Sequence, residues 1–211
     1  MFRLLRPLLF LLDAERAHRL TLAAVGMGMG KTARPDDPML STTVAGLTFP
    51  TPVGIAAGFD KNAEVPDDML RLGFGFAEVG TVTPEPQEGN PRPRIFRLRE
   101  DEAVINRLGF NNEGLEAVRD RLAARHGLPG QVGVNVGANK DSVDRIRDYA
   151  TGVRGMGRWA SYITVNISSP NTPGLRALQD RAELTRLVSA VIAARGPLLL
   201  PLFVKVAPDL Q

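Results

Sequence analysis

Several residue types that carry chemistry in other proteins are absent or scarce in this 211-residue chain. It has no cysteine, which excludes disulfides, thiolate nucleophiles and cysteine metal sites and fits a reducing compartment. It has only two histidines, His18 and His126, so a histidine metal centre or a Ser-His pair has little to work with. The sequence therefore predicts an enzyme or binding protein that uses neither cysteine nor metal chemistry.

Lysine is scarce although the chain carries 26 basic residues and a net charge of +3. The lysines are Lys31, Lys61, Lys140 and Lys205, and the last three lie in or just after predicted strands. Lysine has a pKa that its surroundings can tune, whereas arginine stays charged, so these three are candidates for roles that arginine cannot fill; chance placement is the alternative. No basic run is interleaved with aromatic residues, so no nucleic-acid partner is predicted.

No apolar run reaches the roughly 20 residues that a membrane-spanning helix needs. Residues 2–12 are apolar except Arg3 and Arg6, and Asp13 is predicted to N-cap a second helix that runs to about residue 25. Acidic residues interrupt this segment and no cleavage site follows, which argues against a signal peptide. Two short amphipathic helices suit a position in the membrane interface; a helical hairpin capping a barrel end is the alternative.

From about residue 42 the pattern changes to strands that alternate with helices. We predict a hairpin at 42–44 and 47–49, and further strands at 53–57, 76–80, 94–98, 131–136, 162–167 and 202–206. The predicted helices are 64–72, 113–126, 141–151 and 180–195. Strands joined by helices imply right-handed parallel βαβ units, and glycine-rich strand ends favour a barrel over an open sheet.

The predicted fold class is therefore α/β, a (β/α)8 TIM barrel truncated after about five strands and preceded by a two-helix N-terminal hairpin. The predicted division is a helical segment over 1–30, a linker over 31–41 and an incomplete barrel over 42–211.

The segment Asn-Ile-Ser-Ser-Pro-Asn-Thr-Pro-Gly at 166–174 gives the strongest functional indication. It follows a buried strand, and its prolines, asparagines and glycine exclude a regular element. Amides and hydroxyls on a stiff loop at the carboxyl end of a parallel strand suit a substrate site; a simple polar turn is the alternative.

Similar groups follow the other strands, at 56–61, 80–84, 106–112, 135–141 and 205. Amide, hydroxyl and ammonium groups without a metal-ligand set indicate a neutral-to-anionic heterocycle bound by hydrogen bonds, with an organic cofactor supplying the chemistry.

These segments resemble those of the class 2 dihydroorotate dehydrogenases, membrane-associated FMN enzymes of pyrimidine biosynthesis. The matching segments are Leu12–His18, Ala56–Lys61, Gly80–Pro84, Ile105–Asn112, Asn166–Arg176 and Val204–Leu210. The resemblance implies that dihydroorotate is oxidised to orotate, with FMN as hydride acceptor and a membrane quinone as final acceptor.

Carried over residue by residue, the resemblance implies that Ser169 is the catalytic base. It implies substrate contacts from Lys61, Asn106, Arg107, Leu108, Gly109, Phe110, Asn166 and Asn171. The implied FMN-binding residues are Ala57, Gly58, Phe59, Asp60, Lys61, Thr81, Asn135, Asn166 and Lys205.

The resemblance also implies that the N-terminal helices form the quinone entrance and contact a membrane surface. It places the protein peripherally on the cytoplasmic face of a bacterial inner membrane. Family members continue for about three more barrel strands, so the 211-residue chain by itself is expected to bind FMN poorly and to be inactive.

Two alternatives stay open from the residues alone. One is a Schiff-base aldolase or lyase with Lys205 as nucleophile on a barrel strand, which borohydride trapping would detect. The other is a non-catalytic barrel fragment that survives only as a binding module.

Overall fold

A helix and a small hairpin open the computed structural model, which describes residues 6–7, 9–30, 37–172 and 174–208. Helix α1, Ala14–Gly26, begins as predicted at Asp13, whose carboxylate accepts hydrogen bonds from the backbone N–H groups of Glu15 and Arg16. The hairpin of β1, Thr42–Val44, and β2, Leu47–Phe49, has the predicted bounds. Residues 2–5 and 8 of the predicted first helix and residues 31–36 of the predicted linker lie outside the described residues.

Six further strands and four further helices follow the hairpin. The remaining strands are β3 Phe76–Val82, β4 Ile95–Leu98, β5 Ala103–Asn106, β6 Gln131–Val136, β7 Tyr162–Asn166 and β8 Leu202–Lys205. The remaining helices are α2 Pro66–Arg71, α3 Gly114–Ala124, α4 Arg145–Met156 and α5 Arg181–Arg195. Strands β3, β6, β7 and β8 form one parallel sheet in that order. This arrangement confirms the predicted parallel α/β architecture.

The predicted strand 53–57 is shorter than expected. Only Ile55 forms a bridge, to Ala77 of β3, although backbone hydrogen bonds from Gly75 to Val53 and from Glu78 to Ile55 extend the contact. The chain then leaves the sheet direction at Gly58, whose φ of +107° glycine adopts without strain. The last residues of the predicted strand therefore form the start of a loop.

The long segment between β3 and α3 contains a strand that the sequence analysis missed. Strand β5 pairs antiparallel with β4, so the single edge strand predicted at 94–98 is one half of a hairpin. Every residue of β5 is exposed, and an exposed strand lacks the apolar alternation by which strands are recognised. Two short 3-10 helices, Pro38–Leu40 and Leu175–Gln179, were also missed.

Both boundaries of helix α4 were predicted wrongly. Helix α4 starts at Arg145, not near residue 141, because the carboxylate of Asp144 caps the backbone N–H of Arg147. It also continues to Met156, five residues past the predicted end.

The two faces of the parallel sheet have different chemistry because side chains alternate along each strand. One face packs against the helices and is fully buried and apolar: its strand residues include Val79, Val132, Val134, Ile163 and Val165. The opposite face carries polar groups, among them Glu78, Asn135 and Thr164. Within the described residues no helix combines the length and apolar character needed to cross a membrane.

Candidate active site

A cavity of about 500 Å³ lies at the carboxyl ends of the parallel strands. This is the end at which parallel α/β barrels place their ligands. Three stretches build it: the strand ends, the loop that follows β5 and the loop that follows β7. The lining residues are Ala57, Gly58, Lys61, Thr81, Asn106, Leu108, Gly109, Phe110, Asn111, Asn166, Ser168, Ser169, Pro170, Asn171 and Lys205.

Most residues that the sequence analysis selected come together in this cavity. Those that line it are Ser169, Lys61, Asn106, Leu108, Gly109, Phe110, Asn166, Asn171, Ala57, Gly58, Thr81 and Lys205. Residues from positions 57 to 205 thus converge because the strands are parallel and adjacent in chain order.

Four selected residues do not line the cavity. Phe59 packs edge-on against the ring of His18, with ring centroids 5.1 Å apart. Arg107 donates hydrogen bonds to the carbonyl of Pro93, with its Nη2 at 2.8 Å, and is exposed. Its predicted contact with substrate has no support from this placement.

The other two, Asp60 and Asn135, are buried beside the cavity and act on its shape. The Asp60 carboxylate accepts hydrogen bonds from the backbone N–H groups of Asn62, Glu64 and Val65, and so fixes the loop that carries Lys61. Burial raises the pKa of Asp60, against the lowering effect of these donors. Asn135 is fully buried.

A network of buried amides and a hydroxyl joins the ends of β3, β6 and β7. Thr81 Oγ1 donates to Asn135 Oδ1 at 2.6 Å. Asn166 Nδ2 donates to both Thr81 Oγ1, at 3.1 Å, and Asn135 Oδ1, at 3.0 Å. The Asn166 Oδ1 atom accepts from the backbone N–H and the hydroxyl of Ser168. Thr81, Asn135 and Asn166 are each at most 7 % exposed, so the network fixes this side of the cavity rigidly.

Ser169 lies at the centre of the loop that leaves β7. Its Oγ is 3.2 Å from the backbone nitrogen of Asn171, which donates to it. The fully buried Tyr149 donates from its hydroxyl to the carbonyl of Asn166, 2.6 Å away, and anchors the start of the loop. The half-buried Ser169 hydroxyl is therefore held in place while it borders the cavity.

Lys61 brings a cation into the cavity. Its Nζ donates to the carbonyl of Gly58 at 2.6 Å. Desolvation by burial is the main cause that lowers its pKa below the ordinary value, which nearby Glu15 partly offsets. An incompletely compensated ammonium of this kind favours an anionic ligand group.

The loop 106–111 is held from behind by three side-chain amides. Asn90 donates to the carbonyl of Arg107 at 3.0 Å, and Gln87 donates to those of Gly109 and Phe110. Asn112 adds a bond of 2.7 Å to the carbonyl of Phe110. Asn90 also donates to the carbonyl of Asn171, so it ties this loop to the serine loop.

A second cavity of about 410 Å³ lies between helix α1 and the 59–65 loop. His18, Leu22 and Phe59 contribute to its lining, and Lys61 and Asn111 border both cavities. Burial, and then the nearby Lys61 charge, lower the pKa of His18, which favours its neutral form.

Helix α1 is attached to the rest of the fold by a charged contact. The guanidinium of the buried Arg94 donates to the carboxylate of Glu15 and to the carbonyls of Glu88 and Asn90. Asn90 in turn donates to the 106–111 loop. A continuous series of hydrogen bonds therefore connects helix α1 to the loop that lines the cavity.

Sequence reasoning missed several residues that shape the site. Ser168, Pro170 and Asn111 line the cavity. They lie inside the selected segments, so their position next to selected residues could have identified them. Glu78, Gln87 and Asn90 act only through tertiary contacts, and no local pattern marks them.

The chain matches the family model for dihydroorotate dehydrogenase over residues 39–211. It is 65% identical to the dihydroorotate dehydrogenase (quinone) of Novosphingobium aromaticivorans, over all of this chain and 62% of that protein. It is 59% identical to the protein of the same name from Erythrobacter litoralis, over all of this chain and 62% of the relative. The chain thus spans about three fifths of the length of these curated relatives.

Two crystal structures from Eimeria tenella share the fold. Dihydroorotate dehydrogenase in complex with ferulenol superposes with a TM-score of 0.89 at 44% identity, covering 94% of this chain and 61% of that chain. The ligand-free form superposes with a TM-score of 0.88 at 46% identity, covering 94% and 62%. Their (β/α) barrel confirms the predicted barrel fold. With the family match over most of its length, this chain belongs to the dihydroorotate dehydrogenase family, in its class 2 (quinone) branch.

Proposed function

We propose that the protein carrying this sequence oxidises dihydroorotate to orotate with FMN and passes the electrons to a membrane quinone. The observation that carries the proposal is the cavity in which Ser169, Lys61 and the strand-end amides meet. It combines a base candidate, a cation and several amides in one place, as a small anionic heterocycle requires.

Ser169 is proposed as the base that removes the C5 proton of dihydroorotate. A serine is a poor base at its ordinary pKa, so it depends on positioning, which the Asn171 backbone contact supplies, and on a proton-accepting neighbour or water. Lys61 is proposed to bind the substrate carboxylate. Asn106 and Asn171 are proposed to bind the pyrimidine amides, because a polar site rejects analogues that leave its groups unpaired.

The residues at the strand ends fit a flat flavin. A Cβ placed on Gly58 would meet no atom within 4 Å, so its backbone offers an open face against which a ring can lie. Ala57, Gly58, Thr81 and Lys205 line the cavity and would hold the flavin, with Asn135 and Asn166 behind it. Bound FMN would accept the hydride from C6 of the substrate. An ammonium from Lys205 beside the flavin would stabilise negative charge that develops there.

The N-terminal part, 1–30, is proposed as the membrane and quinone-access segment, 31–41 as a linker and 42–211 as the barrel domain. Helix α1 and the turn that follows it expose large apolar side chains, Leu20 on the helix and Met27 and Met29 in the turn, between 55% and 76%. Such a surface supports interfacial membrane contact. The second cavity, which shares Lys61 and Asn111 with the first, is the candidate quinone site. A peripheral position on the cytoplasmic face of a bacterial inner membrane follows from this proposal.

The test is an absorbance spectrum of the purified full-length protein before and after anaerobic addition of dihydroorotate. A flavin band near about 450 nm that bleaches, and returns when a soluble quinone is added, is the expected result. A colourless protein that cannot be loaded with FMN would contradict the proposal. Borohydride trapping of a carbonyl substrate on Lys205 would instead favour the lyase alternative.

A further inference from the structure

The interior face of the sheet carries one acidic side chain beneath the cavity, Glu78 of β3. Its Oε1 accepts a hydrogen bond from Asn135 Nδ2 at 2.8 Å, and its Oε2 accepts from Thr164 Oγ1 at 2.9 Å. Glu78 does not line the cavity, so it cannot contact a ligand there directly.

The contact with Glu78 determines which way the Asn135 amide faces. An amide has a donor end and an acceptor end, whereas an ionised carboxylate only accepts. With Nδ2 directed at Glu78, the Oδ1 of Asn135 must face Thr81 and Asn166, and it accepts from both. A reversed Asn135 would put its NH2 against the Asn166 NH2 and its oxygen against the Glu78 carboxylate.

The orientation passes from Asn135 to the residues that line the cavity. Because Thr81 directs its hydroxyl hydrogen at Asn135, its lone pairs are free to accept from Asn166 Nδ2. The Asn166 Oδ1 is then left to accept from Ser168, one residue before the candidate base Ser169. Each bond in this series permits only one direction for the next.

We propose that Glu78 is a positioning residue that sets the orientation of the Asn135, Thr81 and Asn166 groups at the floor of the site. It acts through the direction of hydrogen bonds, and its negative charge matters only because a carboxylate cannot donate. The flavin-binding part of this inference rests on the proposed function. The orientation part concerns the ligand-free protein and does not depend on it.

Three variants of the full-length protein distinguish a role of Glu78 in amide orientation from an effect of its charge and from a purely structural role. Glu78→Leu removes the acceptor. Glu78→Gln keeps an acceptor, since its Oε1 can face Asn135 while its Nε2 donates to the Thr164 hydroxyl. Thr164→Val removes the other donor to Glu78 without touching Asn135. Glu78→Met, whose flexible side chain packs more easily, replaces Glu78→Leu if that variant does not fold.

The first readout is the side-chain NH2 signals of Asn135 and Asn166 in ¹⁵N-asparagine-labelled, ligand-free protein, with their hydrogen-exchange protection. Glu78→Leu is expected to shift both signals and remove their protection, while Glu78→Gln and Thr164→Val leave both near their wild-type positions. The second readout is the FMN dissociation constant from flavin fluorescence. We expect roughly a tenfold increase for Glu78→Leu and less than about threefold for the other two, on the scale of one misplaced hydrogen bond.

Two results would overturn the inference. If Glu78→Gln matches Glu78→Leu, the charge matters and the amide direction does not. If Glu78→Leu and Thr164→Val lower the unfolding temperature equally and leave the Asn signals in place, Glu78 only supports the fold. A wild-type protein that binds no FMN would refute the proposed function, and the Asn signals would still decide whether Glu78 positions the amides.

Discussion

The cavity has two walls whose polar groups find hydrogen-bond partners in different ways. The strand wall is built from the strand ends, and the loop wall is built from the 106–111 loop. On the strand wall, Thr81, Asn135 and Asn166 bond one another and are almost completely buried. On the loop wall, the backbone carbonyls are bound from behind, and side chains such as Asn106 border the cavity. Among the described residues, the buried Oδ1 of Asn111 in this wall has no hydrogen-bond partner.

This difference indicates that the two walls have different roles. The polar groups of the strand wall bond to one another, so this wall presents a fixed surface, which suits a cofactor that stays bound. The loop wall keeps capacity free for a ligand, and a buried acceptor without a partner is a cost that a bound donor can remove. Ser169 lies between the walls, where a substrate would contact both.

The largest expected effect comes from Ser169, which the comparison places between the walls. Ser169→Ala is expected to lower the rate of flavin reduction by dihydroorotate roughly 10²- to 10⁴-fold, the range for loss of a general base. Anaerobic stopped-flow absorbance would measure it, with the exposed Ser189→Ala on α5 as a matched control. A Ser169→Ala rate within tenfold of wild type would remove serine from its proposed role.

The second effect tests whether the loop wall depends on helix α1. Arg94, whose side chain is 4% exposed, bonds Glu15 of the helix and two carbonyls behind the loop. Arg94→Leu leaves the two carbonyls unpaired and leaves Glu15 with its ion pair to the exposed Arg92, so it is expected to lower the free energy of unfolding by about 3 kcal/mol. The exposed pair of Arg119 and Asp120 gives the control Arg119→Leu, expected to cost less than about 1 kcal/mol. Urea unfolding measures both, and equal losses would contradict the argument.

The same contact predicts a dependence on acid. The hydrogen bond from Arg94 is the main cause that lowers the pKa of Glu15 below its ordinary value of 4.5. The contribution of ionised Glu15 to the free energy of unfolding is therefore complete above its ordinary pKa and is lost as the pH falls through the lowered pKa. The stability difference between wild type and Arg94→Leu should shrink below pH 4.5. A difference that stays constant on acidification would show that Glu15 does not carry it.

The third effect concerns Lys61, which borders both cavities. Its pKa is lowered mainly by desolvation, so the folded protein binds fewer protons than the unfolded chain between the lowered pKa and 10.5. Stability should therefore rise with pH across that window. Lys61→Met should be more stable than wild type near neutral pH, and the advantage should disappear as the pH approaches 10.5. Urea titrations at several pH values measure it, and a less stable methionine variant at every pH would contradict it.

Loss of the Lys61 ammonium should also weaken substrate binding. The KM for dihydroorotate in wild type should rise as alkaline pH deprotonates Lys61, whereas in Lys61→Met it should be high and independent of pH in that range. A similar alkaline rise in the methionine variant would assign the titration to another group.

The smallest effect tests how firmly the loop wall is held. Asn90 donates to the carbonyls of Arg107 and Asn171, so Asn90→Ala should loosen both loops and raise the KM for dihydroorotate by about three- to tenfold, the loss of one or two neutral hydrogen bonds. Asn90→Asp keeps the size and loses the donors, so it should match the alanine variant in steady-state assays. An aspartate variant with wild-type KM would show that the donors do not matter.

Local patterns predicted the strand wall well and the loop wall poorly. Buried parallel strands are recognised in a sequence by continuous apolar runs, and β6 has the predicted bounds. The exposed β5 carries no such signal, so the hairpin that supports the loop was missed. Arg107 was selected with its neighbours in the resemblance, yet its side chain turns to Pro93, because side-chain direction in a loop depends on contacts distant in sequence.

The sequence by itself determined the alternation of strands and helices, the capped start of helix α1 and the strand-end segments that carry Ser169, Lys61 and the amides. These are consequences of local pattern and residue chemistry. Only the tertiary structure decided that the Asn135 amide donates to Glu78, and that Arg94 and Asn90 join the N-terminal helix to the site. Such contacts join residues 57 to 81 positions apart, and the direction of a hydrogen bond exists only once both partners are in place.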